Sequence, residues 1–183
     1  MNVERLDIDG LLVFEPRVFT DDRGAFFESF NETKFRATTG LSGAFVQDNH
    51  SISHKGVLRG LHYQSPPHAQ GKLVRVVAGA AFDVAVDIRE NSPTLGKWAA
   101  VTLTATNRKQ FWIPAGFAHG FLALEDGTEV LYKVTAAWNG SSERCIRWDD
   151  PDLSVAWPVE GTPTISERDS QGEPWLPNTK SPV

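Results

Sequence analysis

The sequence predicts an all-β sandwich or small barrel, such as a jelly roll. Short apolar runs bounded by Gly, Pro, Asn and Asp recur along most of the chain, and only one helix is credible before the C-terminal region. Many short strands at roughly even spacing are typical of these folds. No internal repeat or linker divides the 183 residues, so we expect a single domain over residues 1–183.

The predicted elements follow the chain in order. Residues 11–18 contain Pro16 and are therefore expected at the edge of a sheet. After a turn at 21–24 and a strand over 25–30, Asn31 is expected to cap a short helix over 32–37. The later strands are predicted at 73–77 and 81–88, as a hairpin around Ala78-Gly79-Ala80, and at 98–103, 110–113, 120–124 and 128–135. Proline becomes frequent after Ser154, and we expect residues 155–183, including Pro177 and Pro182, to pack on the barrel.

Composition argues against several classes of protein. The formal net charge of −5 is unlike that of nucleic-acid-binding proteins. No apolar stretch approaches the ~20 residues of a membrane span, and the N-terminus carries no export signal. The single cysteine, Cys145, fits a reducing compartment. We therefore expect a cytoplasmic protein that binds neither nucleic acid nor membrane.

The segment VQDNHSISHKGVLRGLHYQ is unusually rich in polar and titratable residues, including His50, His54 and His62. Burying such a group unpaired costs a few kcal/mol, so this density indicates a pocket wall. His62 is a candidate general base, and the alternative is a half-buried structural histidine. Strict alternation places Arg59 and His62 on opposite faces, and Gly60 is a natural position for a bulge that redirects one of them.

Other candidates have a structural alternative that local sequence leaves open. His119 follows a tight turn that contains Pro114 and Gly116. It either exposes its ring or forms a hydrogen bond with the backbone of the turn. Tyr132 is an interior acid or a core aromatic. Lys72 is either a functional group of the pocket or an exposed lysine. Asp169 is either a functional carboxylate or a residue that caps a helix or lies at the surface. The sequence His62-Tyr63-Gln64 lacks the second histidine of a His-x-His metal site, so no metal is expected.

Six ordered blocks lie between residues 19 and 169, and they read DDRGAFFESF, VQDNHSISHKGVLRGLHYQ, GKLVRVVAGAAFDVAVDIRENSPTLGKW, WIPAGFAHGF, EVLYKVT and ISERD. Together they resemble the dTDP-4-dehydrorhamnose 3,5-epimerase family. The resemblance implies a jelly-roll, cupin-like β-barrel with one or two short helices. It also implies a homodimer with an exchanged N-terminal strand, and no metal or other cofactor.

The resemblance also implies a role for individual residues. His62 is the implied base, oriented by Asp169, with Tyr132 as the acid on the opposite face and Lys72 near the C4 oxygen of the sugar. Substrate binding is implied for Arg23, Phe26, Glu28, Gln47, Asp48, Asn49, Arg59, His119, Trp138, Glu143 and Arg168. Glu28 is implied to contact the thymine edge, with Phe26 nearby from the partner subunit. Trp138 stands where a tyrosine is common, and Arg168 replaces a frequent lysine.

The implied substrate is a dTDP-4-keto-6-deoxyhexose, epimerised at C3 and C5 through an enolate. An enzyme of this fold that inverts one centre is an alternative, which Trp138 and the altered loop 139–143 keep open. A non-catalytic sugar-nucleotide-binding jelly roll is a further alternative, but it has no need of an acid–base set, and the chain carries His62, Asp169, Tyr132 and Lys72 together. A metal-dependent cupin oxygenase is disfavoured by the missing His-x-His motif.

Overall fold

The computed structural model describes residues 1–41 and 43–176, and strands dominate them. The strands are β1 (Asn2–Arg5), β2 (Leu12–Glu15), β3 (Val18–Asp21), β4 (Gly24–Phe27), β5 (Gln47–Ser53), β6 (Leu58–Gln64), β7 (Lys72–Ala78), β8 (Ala80–Asp87), β9 (Trp98–Thr104), β10 (Gln110–Ile113), β11 (Phe117–Ala123), β12 (Thr128–Val134) and β13 (Glu143–Cys145). The helices are α1 (Glu32–Thr39) and α2 (Glu167–Ser170). The predicted all-β class with two short helices is confirmed.

Two antiparallel sheets pack face to face in the manner of a jelly roll. A six-stranded sheet has the order β1-β2-β10-β7-β12-β5, and a five-stranded sheet has the order β13-β6-β11-β8-β9. Strands β3 and β4 form a separate hairpin. None of the helices in the described part of the chain is long and apolar enough to span a membrane.

The core between the sheets takes alternate residues from strands of both. Val74, Phe111 and Val130 come from the six-stranded sheet, and they pack with Ala85 and Phe121 of the five-stranded sheet. Because successive side chains of a strand point to opposite faces, the intervening residues need other partners. This requirement explains why apolar residues run continuously through several strands instead of alternating with polar ones.

Two flanking segments cover the outer faces of the sheets. On the six-stranded sheet, Phe35 of α1 packs with Phe14 and Trp112. On the five-stranded sheet, Trp157 and Trp175 of the C-terminal segment pack on the cluster that includes Val84, Val86 and Ile146. The predicted positions of Pro177 and Pro182 lie outside the described residues.

Helix α1 is confirmed together with its predicted cap. The side chain of Asn31 accepts a hydrogen bond from the backbone N–H of Lys34, as an N-cap does. Gly40 ends the helix in the left-handed conformation, and its N–H donates to the carbonyl of Arg36. The helix extends two residues beyond the predicted end because this glycine, rather than Ala37, terminates it.

Two strand predictions are wrong in topology. Strands β7 and β8 do not form a hairpin, because β7 pairs with β10 and β12 whereas β8 pairs with β9 and β11. The chain instead crosses between sheets at Gly79, which has a φ of 71°. Residues 11–18 are not an edge strand. Pro16 divides them into β2 and β3, and β2 is paired on both sides, by β1 and β10.

Strand β6 contains one extra residue where it pairs with β11. His62 lies opposite His119 and Arg59 lies opposite Phe121, so three steps along β6 match two along β11. The predicted bulge at Gly60 is therefore confirmed, and it brings Arg59 and His62 to the same face of the sheet.

Gly60 cannot accommodate a side chain at this crossing. Its φ is 119°, and a Cβ built on it would lie 2.6 Å from the Cα of Gly120 and 2.7 Å from the carbonyl oxygen of His119. The two strands therefore approach each other more closely than side chains allow.

We expect Gly60→Ala to lower the free energy of unfolding by about 3 kcal/mol or more, because it adds a backbone clash to an unfavourable φ. Gly24→Ala is the matched control, since Gly24 has a φ of 124° and a Cβ added there would meet no atom within 4 Å. That control should lose only about 1–2 kcal/mol. Urea unfolding of both variants measures the difference, and equal losses would contradict the crowded crossing.

Candidate active site

A cavity of about 330 Å³ lies between the two sheets and collects most of the predicted site residues. Strands of both sheets line it, and α2 contributes from one end. The predicted residues at its wall are His62, Tyr132, Asp169, Lys72, Gln47, Asn49, Arg59, His119, Trp138, Glu143 and Arg168. These residues are widely separated in the sequence, and the fold brings them together.

Strand β5 presents only alternate residues to the cavity. Gln47 and Asn49 line the cavity, and the side chain of Gln47 donates to that of Asn49 over 2.8 Å. Asp48 lies on the other face of the strand and forms an ion pair of 3.0 Å with Lys133. The structure therefore does not bring Asp48 into the cavity, which corrects its expected placement beside Gln47 and Asn49.

Two histidines of the polar segment also lie elsewhere. His50 shares the outer face of β5 with Asp48, and its Nε2 lies 2.9 Å from a carboxylate oxygen of Glu129. His54 is almost fully exposed beside Asp126. Of the three histidines in this segment, only His62 reaches the cavity.

Three predicted binding residues lie on or beside the β3–β4 hairpin, away from the cavity of their own chain. Arg23 is exposed and forms an ion pair with Asp21 across the turn. Phe26 is 72% exposed. Glu28 is engaged by Lys34, with a separation of 2.7 Å.

His62 and Asp169 form a hydrogen-bonded pair at one wall. Nε2 of His62 lies 2.6 Å from Oδ1 of Asp169. Burial acts to raise the pKa of Asp169, but its interactions with His62, together with hydrogen bonds from Ser166 and the backbone of Gly60, outweigh burial, so the pKa lies below its ordinary value. An ionised carboxylate only accepts hydrogen bonds. The proton must therefore be on Nε2, which leaves Nδ1 as the basic nitrogen of the ring.

The position of Asp169 depends on the short helix α2. Ser166 caps this helix, and its hydroxyl accepts from the backbone N–H of Asp169 over 3.1 Å. Asp169 is only 4% exposed. The predicted alternative, a carboxylate that caps a helix or lies at the surface, does not describe it.

Lys72 is a buried lysine directed at the same region. Its Nζ donates to the backbone carbonyl of His62 over 3.0 Å. Burial lowers the pKa of Lys72 to about 8, although Asp83 and Glu143 act in the opposite direction. The ammonium is therefore close to losing its proton near physiological pH, which is unusual for lysine.

Asp83 contacts a residue of the cavity wall, although the sequence pattern assigned it no role. It is fully buried, and its two carboxylate oxygens lie 2.9 and 3.0 Å from Nε2 of His119. Burial lowers the pKa of His119 despite the attraction of Asp83. An acidic residue inside the apolar run of β8 was the available signal, because a buried carboxylate needs a partner.

Ser51 is a second residue to which no role was assigned. It lines the cavity on the same face of β5 as Gln47 and Asn49. Its Oγ is buried and has no hydrogen-bond partner among the described residues. The regular alternation 47, 49, 51 along β5 could have identified it. The hydroxyl is therefore a buried polar group at the cavity wall whose hydrogen bond is not satisfied by the described residues.

Tyr132 faces His62 from the opposite sheet. It belongs to β12 of the six-stranded sheet, whereas His62 belongs to β6 of the five-stranded sheet. Burial is the main cause that raises the pKa of the Tyr132 hydroxyl. The hydroxyl therefore keeps its proton at neutral pH and can donate it.

A network of polar contacts closes the outer end of the cavity. The indole N–H of Trp138 donates to Glu143, which also forms a 2.6 Å ion pair with Arg168. The backbone N–H of Trp138 donates to the side-chain oxygen of Gln47 over 2.9 Å. The ring itself is 60% exposed, so it offers an aromatic face on which a base can stack.

The cavity is suited to proton transfer on an anionic ligand. A histidine with a fixed tautomer and a tyrosine lie on opposite walls, and a buried lysine lies between the sheets. Arg59 and Arg168 add positive charge suited to a diphosphate. Metal ligation is available from His62, Cys145 and Asp169, whose donor atoms lie within 4.8 Å of one another.

Comparison with known proteins identifies the family. Residues 5–176 match the family described as dTDP-4-dehydrorhamnose 3,5-epimerase. The dTDP-4-dehydrorhamnose 3,5-epimerase of Pseudomonas aeruginosa is 55% identical over 173 residues, which cover 94% of this chain and 95% of that protein.

Solved structures agree in fold. The dTDP-6-deoxy-D-glucose-3,5-epimerase of Legionella pneumophila, in complex with dTDP-4-keto-L-rhamnose, matches with a TM-score of 0.92 and 47% identity over 94% of this chain and 92% of that chain. ChmJ, a 3'-monoepimerase from Streptomyces bikiniensis in complex with dTDP-quinovose, matches with a TM-score of 0.87 and 36% identity over 92% of this chain and 85% of that chain. This chain belongs to the dTDP-4-dehydrorhamnose 3,5-epimerase family.

Proposed function

We propose that this enzyme converts dTDP-4-keto-6-deoxy-D-glucose to dTDP-4-keto-L-rhamnose by inverting C3 and C5. The observation that carries the proposal is the placement of the His62–Asp169 pair and Tyr132 on opposite walls of one cavity. Inversion requires a proton to leave one face of a carbon and another to arrive at the opposite face. The relatives named above provide the substrate class.

The chemistry is redox-neutral proton transfer. The C4 ketone acidifies the hydrogens on C3 and C5, and Nδ1 of His62 removes one of them. Asp169 holds the tautomer and stabilises the imidazolium that forms, as in other carboxylate–histidine pairs. The electron pair moves onto the C4 oxygen, where Lys72 stabilises the enolate. Tyr132 then delivers a proton to the carbon from the other face, and the ketone is restored.

Lys72 is expected to contribute as much as the base. General acid–base catalysis supplies about 10²–10⁴-fold in rate, and one well-placed oxyanion donor supplies about 2.7–4 kcal/mol.

The buried pair of His119 and Asp83 lies next to Lys72. We assign Asp83 a positioning role, because its charge favours the ammonium form of Lys72 and its carboxylate fixes the ring of His119.

We also propose that the nucleotide end of the cavity is completed by a second copy of the chain. Arg23, Phe26 and Glu28 lie beside the exposed β3–β4 hairpin and outside the cavity of their own chain. Phe19 of the same hairpin is 52% exposed. A homodimer that exchanges this region would bury both phenylalanines and bring Arg23 and Glu28 to the nucleotide of the partner.

A one-centre epimerase is the second candidate. The similarity to a 3'-monoepimerase of the same fold favours it, as does the replacement of a common tyrosine by Trp138 at the outer end of the cavity. Both candidates use the same base, so the difference between them is the number of carbons whose hydrogen exchanges with solvent.

We expect incubation with dTDP-4-keto-6-deoxy-D-glucose in D₂O to place deuterium at both C3 and C5, as followed by proton NMR, with the L-lyxo product trapped by a reductase. Because each inversion removes one carbon-bound hydrogen, exchange reports each centre separately. Deuterium at one carbon alone would establish the second candidate. Absence of exchange at both carbons would refute catalysis on this substrate.

In the same experiment, Tyr132→Phe tests whether His62 on one wall removes the proton and Tyr132 on the other wall returns it. The variant keeps the ring and removes the proton that Tyr132 returns, so deuterium should still enter while net inversion is lost. An unchanged rate and an unchanged product would contradict the assignment of Tyr132 as the acid.

We expect kcat/KM to fall as the pH rises through about 8, because Lys72 loses its positive charge there and only the ammonium stabilises the enolate. Lys72→Arg should abolish this alkaline limb, since arginine stays charged. Lys72→Ala should lose roughly 10²–10³-fold in kcat, close to the loss in His62→Ala. An alkaline limb that persists in Lys72→Arg, or a Lys72→Ala variant with most of its turnover, would exclude this role.

A further inference from the structure

Cys145 lies beside the catalytic pair but is not part of the cavity wall. Cys145 on β13 is the cross-strand partner of His62 on β6, and such partners have Cβ atoms about 4.5–5.5 Å apart. Its Sγ lies 4.0 Å from Oδ1 of Asp169, the same oxygen that lies 2.6 Å from Nε2 of His62. One sulfur, one nitrogen and one oxygen donor therefore lie within 4.8 Å of one another.

We infer that Cys145, His62 and Asp169 form an inhibitory binding site for a thiophilic divalent cation such as Zn²⁺ or Cd²⁺. The binding itself follows from the three donors. The inhibition rests on the proposed function, because it requires His62 to be the catalytic base.

The donor atoms are close to the arrangement that such an ion needs. Zinc bonds of about 2.0–2.2 Å to nitrogen and oxygen and about 2.3 Å to sulfur place tetrahedral donors roughly 3.3–3.6 Å apart. The nitrogen–oxygen separation of 2.6 Å must widen and the sulfur–oxygen separation of 4.0 Å must shorten. The widening is roughly 0.7–1.0 Å and the shortening roughly 0.4–0.7 Å, which side-chain rotation supplies.

The charges around the sulfur also favour a cation. A carboxylate oxygen of Asp169 lies 4.0 Å from Sγ of Cys145, so an ion that binds the sulfur also meets a negative charge. A cysteine thiol is protonated at neutral pH until a strongly bound ion displaces its proton. Thiolate ligands select Zn²⁺ and Cd²⁺ over Mg²⁺, which prefers oxygen.

The proton balance explains why binding would inhibit. The cation takes the lone pair of Nε2, so the proton of the neutral imidazole moves to Nδ1. The thiol gives up its proton to solvent, and one proton is released per ion bound. Nδ1 then carries a hydrogen and cannot accept one from the substrate. The bond that holds His62 against Asp169 is broken at the same time.

Cadmium titration tests the inference, because Cys145 is the one cysteine of the sequence. The ultraviolet charge-transfer band of a cadmium–thiolate bond therefore reports this residue alone. Wild-type protein should bind one Cd²⁺ per chain with this band, and turnover should fall in parallel with it. Mg²⁺ at the same concentration should have no effect.

Two variants separate the ligands. Cys145→Ser should lose the band, resist Cd²⁺ by about tenfold or more, and keep basal turnover close to that of the wild type. His62→Asn should require about tenfold more Cd²⁺ to produce the band. Equal inhibition of Cys145→Ser would overturn the inference. Unchanged cadmium affinity in His62→Asn would also overturn it, because it would mean binding by the thiol alone.

The two proposals fail separately in this design. The band needs no turnover, so cadmium binding by a chain that does not epimerise the substrate would refute only the proposed function. An active chain that shows no band at saturating Cd²⁺ would refute only the metal site.

Discussion

The site depends on one crowded contact, at which Gly60 of β6 lies against Gly120 of β11. The extra residue at this point places Arg59 and His62 on the same face of the sheet, whereas strict alternation would place them on opposite faces. Without it, a strand with strict alternation would direct either the arginine or the histidine away from the cavity. A backbone constraint thus places the cationic Arg59 and the candidate base His62 on the same side of the sheet.

Buried ionisable groups around this point are held by partners rather than by solvent. Asp169 with His62 and Asp83 with His119 are two carboxylate–histidine pairs whose carboxylates are buried, and Lys72 is buried as well. Each unpaired charge would cost several kcal/mol, so these groups are stable only as a set. Burial lowers the pKa of Lys72 to about 8, and the charges of Asp83 and Glu143 oppose that shift and favour the ammonium form. The contacts that stabilise these buried charges are therefore the same contacts that set their protonation states.

The sequence predicted the elements better than their pairing. Polar alternation, the Asn31 cap and the glycine at position 60 are local signals, and the structure bears them out. The β7–β8 pairing failed because a short glycine connection looks the same whether it closes a hairpin or crosses between sheets. Strand pairing is decided by which apolar faces must be buried, and that depends on distant residues.

The site was predicted in a similarly uneven way. Within the six sequence blocks that resemble the family, residues line the cavity where strand alternation directs them inward. Asp48 does not line it, because it occupies an outward position of β5 and pairs with Lys133. Asp83 and Ser51 were not assigned roles, since their importance comes from contacts across the sheet and from burial. Arg23, Phe26 and Glu28 lie outside the cavity of their own chain, and the sequence pattern of a single chain carries no information about contacts with a second copy.

The central claim is that the fold delivers His62 with its proton fixed on Nε2 by Asp169 and with Nδ1 free to act as the base. Nitrogen-15 NMR of histidine-labelled protein, with His62→Asn to assign the signal, reads the tautomer directly. The account predicts a protonated Nε2 and an unprotonated Nδ1 at neutral pH, and a loss of this preference in Asp169→Asn. A proton on Nδ1 in the wild-type protein would contradict it.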